Sequence, residues 1–228
     1  MLLARFTFNG MDKVIVSAGI GEHRREKDRL KYTQGDEQEH ILAACAGIEN
    51  GRFLDIGAWN AKELSNTRAL YELGWSGVLV EPSPGPFKGL VQEYGNEQRI
   101  KLVCGAVGLD AGNLAYIHAS DDALSTTEHG NFKVWERAGG FYGSFYTPII
   151  SPFKLWVEFG PFDMLSIDTE GTSVNIFEAL LSPAEIRPRC IAVEHDCPDI
   201  SQRRTAAIAE AAGYRRVYED GNNEVWAR

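Results

Sequence analysis

The sequence is poor in three features that would each assign it to a class of protein: long apolar runs, cysteine and positive charge. No run approaches the roughly 20 apolar residues that a membrane-spanning helix requires. The chain contains only four cysteines, which are widely spaced and lack zinc-ligand spacing: Cys45, Cys104, Cys190 and Cys197. Lysine and arginine number 23 against 32 aspartates and glutamates, so the net charge is −9. Such a charge repels a polyanion on average and disfavours DNA or RNA as a substrate.

These absences also bear on location. The first residues, MLLARFTFNGMDK, turn polar too early for a signal peptide. We therefore expect a cytoplasmic protein with four free thiols and no membrane insertion. What is present is ordinary for a globular domain, since 44% of the residues are hydrophobic and 24% are charged. A chain of 228 residues is long enough for one domain with a sizeable core.

The chain divides into a short N-terminal part and a long alternating part. Around Asn9-Gly10 the pattern predicts two strands, 5–8 and 13–17, followed by a charged linker that reaches residue 31. Residues 32–228 form the predicted main domain, in which apolar runs alternate with helical patterns. The first predicted helix begins at Asp36, and further helices are predicted at 62–73, 84–94, 174–181 and from Ser201 to Gly213. The first predicted strand of this domain begins at Phe53, and further strands are predicted at 78–81, 100–104, 164–167 and 190–193.

Two regions depart from this alternation. Residues 108–160 are rich in glycine, aromatic and hydroxyl residues and show one candidate strand at 114–118, so we expect a long irregular insertion on the substrate side. The chain closes with strands 214–218 and 224–226 around Gly221-Asn222-Asn223, which predicts a hairpin. Strands alternating with helices predict a mostly parallel sheet with helices on both faces, to which the hairpin adds an antiparallel strand.

Candidate cofactor residues follow the first two strands of the main domain. Ligands of open α/β sheets bind past the carboxyl ends of the strands. Gly57 allows a sharp turn and close ligand approach, and Asp55 could meet the cationic amino group of a methionine moiety. Glu81 ends the next strand and could accept hydrogen bonds from two ribose hydroxyls. Together these residues predict a nucleoside cofactor. The three-glycine dinucleotide fingerprint is missing, which disfavours a nicotinamide-dependent oxidoreductase.

A group of ionisable residues follows the two later strands. Asp168 and Glu170 lie after one strand, and Glu194-His195-Asp196 end the next. Clustered carboxylates perturb one another and can bind a metal ion or act as bases. The candidate catalytic residues are therefore Asp168, Glu170 and His195, and the candidate ligands of a divalent metal are the same three and Asp196. The alternative is that Asp168 caps a helix and the other charges are ordinary surface residues.

Four runs in this order resemble the FkbM family of S-adenosylmethionine-dependent methyltransferases: FLDIGAWNAKELSNT, VLVEPSP, DMLSIDTEGTSVNIFEAL and CIAVEHD. The resemblance extends to YTQGDEQEHIL and GYRRVYEDGNNEVWAR, and it covers residues 32–228. It implies a Rossmann-like class I methyltransferase fold, an α/β fold with a seven-stranded, mostly parallel sheet and a C-terminal antiparallel hairpin. Ser65-Asn66-Thr67 also match. The implied cofactor-binding residues are Asp55, Gly57, Ala58, Asn60, Glu81, Ala106 and Asp168.

The resemblance implies transfer of a methyl group to a hydroxyl of a sugar, glycan or natural-product-like small molecule. Two sites depart from the family: Trp59-Asn60-Ala61 stand where Asn-Asp-Gly is usual, and Ser83 stands where Asn is usual. These departures leave open a degenerate, non-catalytic binding module. A nucleic-acid methyltransferase is disfavoured, because the motif Asn/Asp-Pro-Pro-aromatic for a flipped base is missing. Four aromatic residues of the insertion could wall the acceptor or simply pack: Trp135, Phe141, Tyr142 and Tyr146.

Overall fold

A computed structural model describes residues 5–8, 11–14, 30–120, 123–136, 141–195 and 198–228. The chain forms two compact units, Met1–Leu30 and Lys31–Arg228. In the first unit, β1 (Arg5–Phe8) pairs antiparallel with β2 (Met11–Val14). The first strand has the predicted bounds, and the second begins two residues earlier than predicted.

The second unit contains the remaining strands and all the described helices. The strands are β3 (Arg52–Ile56), β4 (Ser76–Glu81), β5 (Ile100–Cys104), β6 (Ala106–Val107), β7 (Leu114–Ser120), β8 (Phe141–Ile150), β9 (Met164–Ile167), β10 (Cys190–Glu194), β11 (Arg215–Glu219) and β12 (Asn223–Ala227). The helices are α1 (Glu37–Ala44), α2 (Arg68–Glu72), α3 (Pro84–Tyr94), α4 (His129–Trp135), α5 (Pro152–Phe159), α6 (Ser173–Leu181) and α7 (Pro198–Ala211). No helix in these ranges is both long and apolar enough to cross a membrane.

Seven strands form one sheet in the order β11-β12-β10-β9-β3-β4-β5. Neighbouring strands from β10 to β5 are parallel, and β12 is antiparallel to both β10 and β11. The order reverses between β3 and β9, which is where open α/β sheets bind their ligands. This strand order, with one antiparallel strand next to the edge, is that of the class I methyltransferase fold. The predicted fold class and C-terminal hairpin are confirmed.

The sheet has an apolar core on each face, because successive residues of a strand point to opposite sides. Leu54 and Ile56 of β3 pack with residues of α6, including Phe177. Phe53 packs in the opposite cluster with residues of α1 and α3. By the same alternation, Asp55 lies on the face of Phe53. Glu81 lies on the corresponding face of β4, with Leu79, so the two acids share a face at the carboxyl ends of adjacent strands.

The predicted helix 62–73 is wrong in its first half, since α2 begins only at Arg68. The side-chain oxygen of Asn60 accepts hydrogen bonds from the backbone N–H groups of Lys62 and Glu63, which forms a local turn instead. Leu64 has φ +53°, a left-handed conformation that a helix cannot include. The last helix also starts earlier than predicted, at Pro198 rather than after Ser201. Proline suits the first turn of a helix.

The expectation that residues 108–160 are irregular is also wrong. The segment contains β7, which includes the predicted strand 114–118, together with β8, α4 and α5. With β6, which lies just before the segment, these strands form a three-stranded sheet in the order β6-β8-β7. The antiparallel pairing of β7 and β8 runs from Leu114 opposite Pro148 to Ser120 opposite Phe141. Most of β8 is exposed or half-buried, so its sequence lacks a clear alternation of apolar and polar residues. The aromatic and hydroxyl residues of this segment instead reflect the preference of such residues for strands.

Candidate cofactor and catalytic site

The loop after β3 turns tightly over the end of β4. Gly57 has φ +84°, a conformation that glycine adopts without strain. The N–H groups of Gly57 and Ala58 both donate to the carbonyl oxygen of Val80, at 2.9 and 3.1 Å. Trp59 follows with φ +34°. This turn brings the backbone of the loop beside Glu81, the last residue of β4.

Asp55 is buried, with 4% of its surface exposed, and is held by hydroxyl groups. The Thr67 hydroxyl donates to its carboxylate at 2.6 Å, and Ser166 also hydrogen-bonds to it. Burial raises the pKa of Asp55 to about 6, against the opposing effect of these hydrogen bonds. The Asn66 amide donates to the Ser166 hydroxyl at 3.3 Å. Thr67 therefore holds Asp55 directly, and Asn66 acts on it through Ser166.

Glu81 is equally buried, and each of its carboxylate oxygens accepts a backbone hydrogen bond. The Trp59 N–H donates at 3.0 Å and the Ser83 N–H at 2.7 Å. Burial raises the pKa of Glu81 to about 7, although these two bonds favour the ionised form. A carboxylate offers about four lone-pair sites. Its oxygens therefore retain the capacity to accept two hydroxyl donors such as those of a ribose.

The other proposed cofactor residues have different surroundings. Ala58 and Ala106 are buried, with 6% of each exposed. Asn60 uses its side-chain oxygen within its own loop. The loop after β3 and helix α3 line an open cleft of about 400 Å³. Trp59 and Lys62 are among the residues that line it on the side of the loop. The residues that α3 contributes were not singled out from the sequence: Gly85, Pro86, Gly89, Gln92 and Glu93.

Three carboxylates form an acidic trio at the ends of β9 and β10. Oxygen atoms of Asp168, Glu170 and Glu194 all lie within 4.8 Å of one another. The Asp168 N–H donates to the Ile56 carbonyl at 2.9 Å, which places this residue at the end of β3. The sequence pattern put Glu194 in the same charged group, but the candidate catalytic residues did not include it. Its position as the last residue of β10 was the available signal.

His195 is not part of the acidic trio in the described portion of the chain. Only 2% of its surface is exposed, and its Nε2 lies 3.2 Å from the Gln202 side-chain nitrogen. Asp196, the fourth proposed metal ligand, lies outside the described residues. The structure thus groups Asp168 and Glu170 with a neighbouring glutamate and places the histidine separately.

The insertion contacts the loop after β9 and the start of α3. The Thr126 hydroxyl donates to the Glu170 carbonyl at 2.6 Å, and the Tyr142 hydroxyl accepts a bond from the Gly85 N–H at 3.3 Å. Of the other proposed acceptor-wall residues, Phe141 packs edge-on against Phe132, and the ring of Tyr146 lies 5.1 Å from that of Tyr116. The side chain of Trp135 is not among those described. The insertion therefore contacts both the first turn of α3 and the loop after β9.

No protein-family model and no curated protein matches the chain. Similar solved structures include precorrin-6Y C5,15-methyltransferase from Geobacter metallireducens GS-15 (10% identity, TM-score 0.46, 84% of this chain and 85% of that one). The C-terminal domain of the enzyme of the same name from Rhodobacter capsulatus has 14% identity and a TM-score of 0.47, covering 88% and 91%. Aeropyrum pernix fibrillarin in complex with natively bound S-adenosyl-L-methionine has 12% identity and a TM-score of 0.43, covering 96% and 90%. The fold assignment rests on the strand order of the sheet.

Proposed function

We propose that the chain is an S-adenosylmethionine-dependent O-methyltransferase that acts on a hydroxyl of a sugar, glycan or natural-product-like small molecule. The observation that carries the proposal is the pair of buried carboxylates, Asp55 and Glu81, at the carboxyl ends of adjacent strands in a class I methyltransferase sheet. Burying a carboxylate costs free energy unless donors compensate it. Two such groups at the edge where these sheets bind ligands indicate a site for a molecule rich in donors.

The cofactor would lie across the ends of β3 and β4. Glu81 would accept the two ribose hydroxyls, while its bonds from Trp59 and Ser83 hold the carboxylate in place. Asp55 would face the amino group of the methionine moiety, with Thr67 orienting its carboxylate. S-adenosylmethionine supplies an electrophilic methyl group on a sulfonium.

The acidic trio would lie beside the acceptor hydroxyl and accept its proton. The cofactor would supply the methyl group, which would move from sulfur to the acceptor oxygen, and a carboxylate of Asp168 or Glu170 would take the hydroxyl proton. Gathering three carboxylates raises their mutual repulsion, which a proton, a cation or a hydroxyl donor offsets. Alignment of the reacting atoms can contribute about 7–11 kcal/mol, and a positioned base typically adds about 10²–10⁴-fold.

The first test is calorimetric titration with S-adenosylhomocysteine. Replacing Glu81 by alanine removes an acceptor for two hydroxyls, and a hydrogen bond to a charged group is worth about 1.5–3 kcal/mol. We expect the affinity of Glu81→Ala to fall about ten- to a hundredfold. Glu210→Ala, which alters an exposed glutamate on α7, is the matched control and should bind like the wild type. Equal affinity in Glu81→Ala, or no binding by the wild type, contradicts the proposal.

A second measurement separates the proposed enzyme from its alternatives. Incubation with S-adenosylmethionine and a panel of hydroxylated acceptors should release S-adenosylhomocysteine if the chain is a methyltransferase. Cofactor binding without release for any acceptor would favour the non-catalytic binding module. Saturable binding of NADH in place of S-adenosylhomocysteine would favour the oxidoreductase.

A further inference from the structure

Glu170 of the acidic trio has an uncommon backbone conformation. Its φ is +48°, in the left-handed region that residues with a Cβ rarely adopt. Such conformations persist where surrounding contacts hold them, and they cluster at functional sites. Because the backbone angles set the direction in which the side chain leaves Cα, the contact that holds this conformation also decides where the Glu170 carboxylate lies.

Three successive residues of the loop after β9 are each anchored by a different part of the fold. The Asp168 N–H donates to the last carbonyl of β3 at 2.9 Å. The Thr169 N–H donates to the Ser173 hydroxyl at the start of α6, also at 2.9 Å. The Glu170 carbonyl accepts a hydrogen bond from the Thr126 hydroxyl at 2.6 Å. Glu170 is therefore anchored by the insertion, whereas the two residues before it are anchored by the main sheet and one of its helices.

Thr126 is itself firmly held within the insertion. Only 1% of its surface is exposed, and its backbone exchanges two hydrogen bonds with that of His118 in β7, at 2.9 and 3.1 Å. The Thr126 hydroxyl accepts a hydrogen bond from the Glu128 N–H at 2.9 Å. A hydroxyl can accept such a bond and still donate its one proton, which here goes to the Glu170 carbonyl. Thr126 therefore joins β7 and the residue before α4 to the loop after β9.

We propose that Thr126 is a positioning residue, whose hydroxyl holds the Glu170 backbone in the conformation that keeps the Glu170 carboxylate within the acidic trio. The carboxylate oxygens of the trio lie within 4.8 Å of one another, so a modest rotation of the backbone at Glu170 would separate one of them from the other two. The insertion would thus set the placement of a group in the catalytic loop. This inference rests on the proposed function, because Glu170 is one of its two proposed bases.

The first test compares crystal structures of full-length variants without ligand. Thr126→Val replaces the hydroxyl by a methyl group, so the Glu170 carbonyl loses its donor, whereas Thr126→Ser keeps the hydroxyl. We expect Glu170 to leave the left-handed conformation in Thr126→Val, with its carboxylate outside the trio, and to keep both in Thr126→Ser. Ser125→Ala is the matched control, because the Ser125 hydroxyl bonds within the insertion to the backbone of Ser120, at 2.9 and 3.1 Å.

The second test measures turnover of the same variants with S-adenosylmethionine and the panel of hydroxylated acceptors. A displacement of a reacting group by about 1 Å can cost about a hundredfold in rate. We expect kcat of Thr126→Val to fall about ten- to a hundredfold, with KM for S-adenosylmethionine unchanged, and Thr126→Ser and Ser125→Ala to keep most of the wild-type kcat. Thermal unfolding checks that each variant is folded. If Thr126→Val does not fold, Thr126→Ala against Thr126→Ser gives the same comparison.

The outcomes separate this inference from the proposed function. If Glu170 keeps its conformation in Thr126→Val, or if that variant turns over like the wild type, the positioning role is overturned and the proposed function stands. Equal losses of kcat in Thr126→Val, Thr126→Ser and Ser125→Ala would show a general disturbance of the insertion and would also overturn the role. If the wild type neither binds S-adenosylhomocysteine nor turns over any acceptor, the proposed function fails, and the crystal structures alone decide whether Thr126 positions Glu170.

Discussion

The carbonyl oxygen of Asp168 lies well inside van der Waals contact of the point that a Cβ atom at position 57 would occupy. The loop after β3 and the loop after β9 therefore meet backbone to backbone at Gly57. The Asp168 N–H also donates to the carbonyl of Ile56, one residue earlier. This contact joins the loop after β3, which carries proposed cofactor contacts, to the loop after β9, which carries Asp168 and Glu170 of the acidic trio. The two parts of the candidate site are therefore held in one arrangement.

Replacing Gly57 by alanine should destabilise the protein more than the backbone conformation alone explains. Gly213 has the same φ, +84°, but nothing within 4 Å of its own Cβ position, so Gly213→Ala measures the conformational cost. That cost is about 1–2 kcal/mol. Gly57→Ala adds the clash with Asp168 and should lose about 1–3 kcal/mol more. Urea unfolding of both variants measures the difference, and equal losses would show that the two loops separate easily.

The buried Glu81 carboxyl should make stability depend on pH in the absence of cofactor. Its pKa in the folded protein is about 7, against 4.5 as the ordinary value, so the folded state holds this proton more tightly than the unfolded state does. The resulting stabilisation is complete below about pH 4.5 and is lost as pH rises through 7, an effect of about 3 kcal/mol. Glu81→Gln cannot titrate. From pH 4.5 to 8 the unfolding free energy of the wild type should therefore fall by about that amount relative to that of Glu81→Gln. Parallel pH profiles would contradict the raised pKa.

Substitutions within the acidic trio should lower turnover once an acceptor is known. Asp168→Asn and Glu170→Gln, at the two proposed bases, each remove a charge of the trio while keeping the shape of the side chain. Loss of a base should cost about a hundredfold or more in turnover. His195→Ala, outside the trio, is expected to reduce turnover less. Near-normal rates in both trio variants would make the trio structural and move the base to the segment 108–160.

The same assay decides between a base and a bound divalent cation. Carboxylate oxygens are the ligands that Mg²⁺ and Mn²⁺ prefer, so the trio could hold such an ion. If it does, a chelator should abolish turnover and added Mg²⁺ or Mn²⁺ should restore it. If a carboxylate acts as base without a metal, the chelator should leave turnover unchanged, and turnover should rise with pH as that carboxylate loses its proton.

The cysteines should differ in reactivity although all four are predicted to be free thiols. Cys104 is exposed, whereas Cys45 and Cys190 are buried next to each other and share a hydrogen bond. Cys197 lies outside the described residues. In the native protein, a thiol reagent should therefore modify Cys104 and leave Cys45 and Cys190 unmodified, and Cys104→Ser should remove the adduct at position 104. Alkylation of unfolded, unreduced protein should add four groups by mass. Two or fewer adducts would contradict the reducing compartment.

The sequence by itself determined the central elements of the sheet. β9 has the predicted bounds, and β4 and β10 match within two residues, because a buried parallel strand is a short apolar run bounded by residues that break it. α3 matches because proline at its start and glycine at its end are local signals. Since the carboxyl ends of parallel strands share one edge, the positions of Asp55, Glu81 and Asp168 in that order already indicated a common site.

The tertiary structure decided the contacts that cross long stretches of sequence. Thr67 hydrogen-bonds to Asp55, whereas its neighbour Asn66 hydrogen-bonds to Ser166, which lies 100 residues away in the sequence. The local periodicity of the sequence contains no information about that second partner. Glu194, and not the predicted His195, lies with Asp168 and Glu170. The reason is that the last residue of a strand and the residue after it point in different directions. The candidate strand 114–118 corresponds to β7, but β6 and β8 of the same sheet were not predicted, for a related reason. Its pairing stabilises strands whose exposed faces carry aromatic and hydroxyl side chains, so the burial pattern that announces a strand is absent from the sequence.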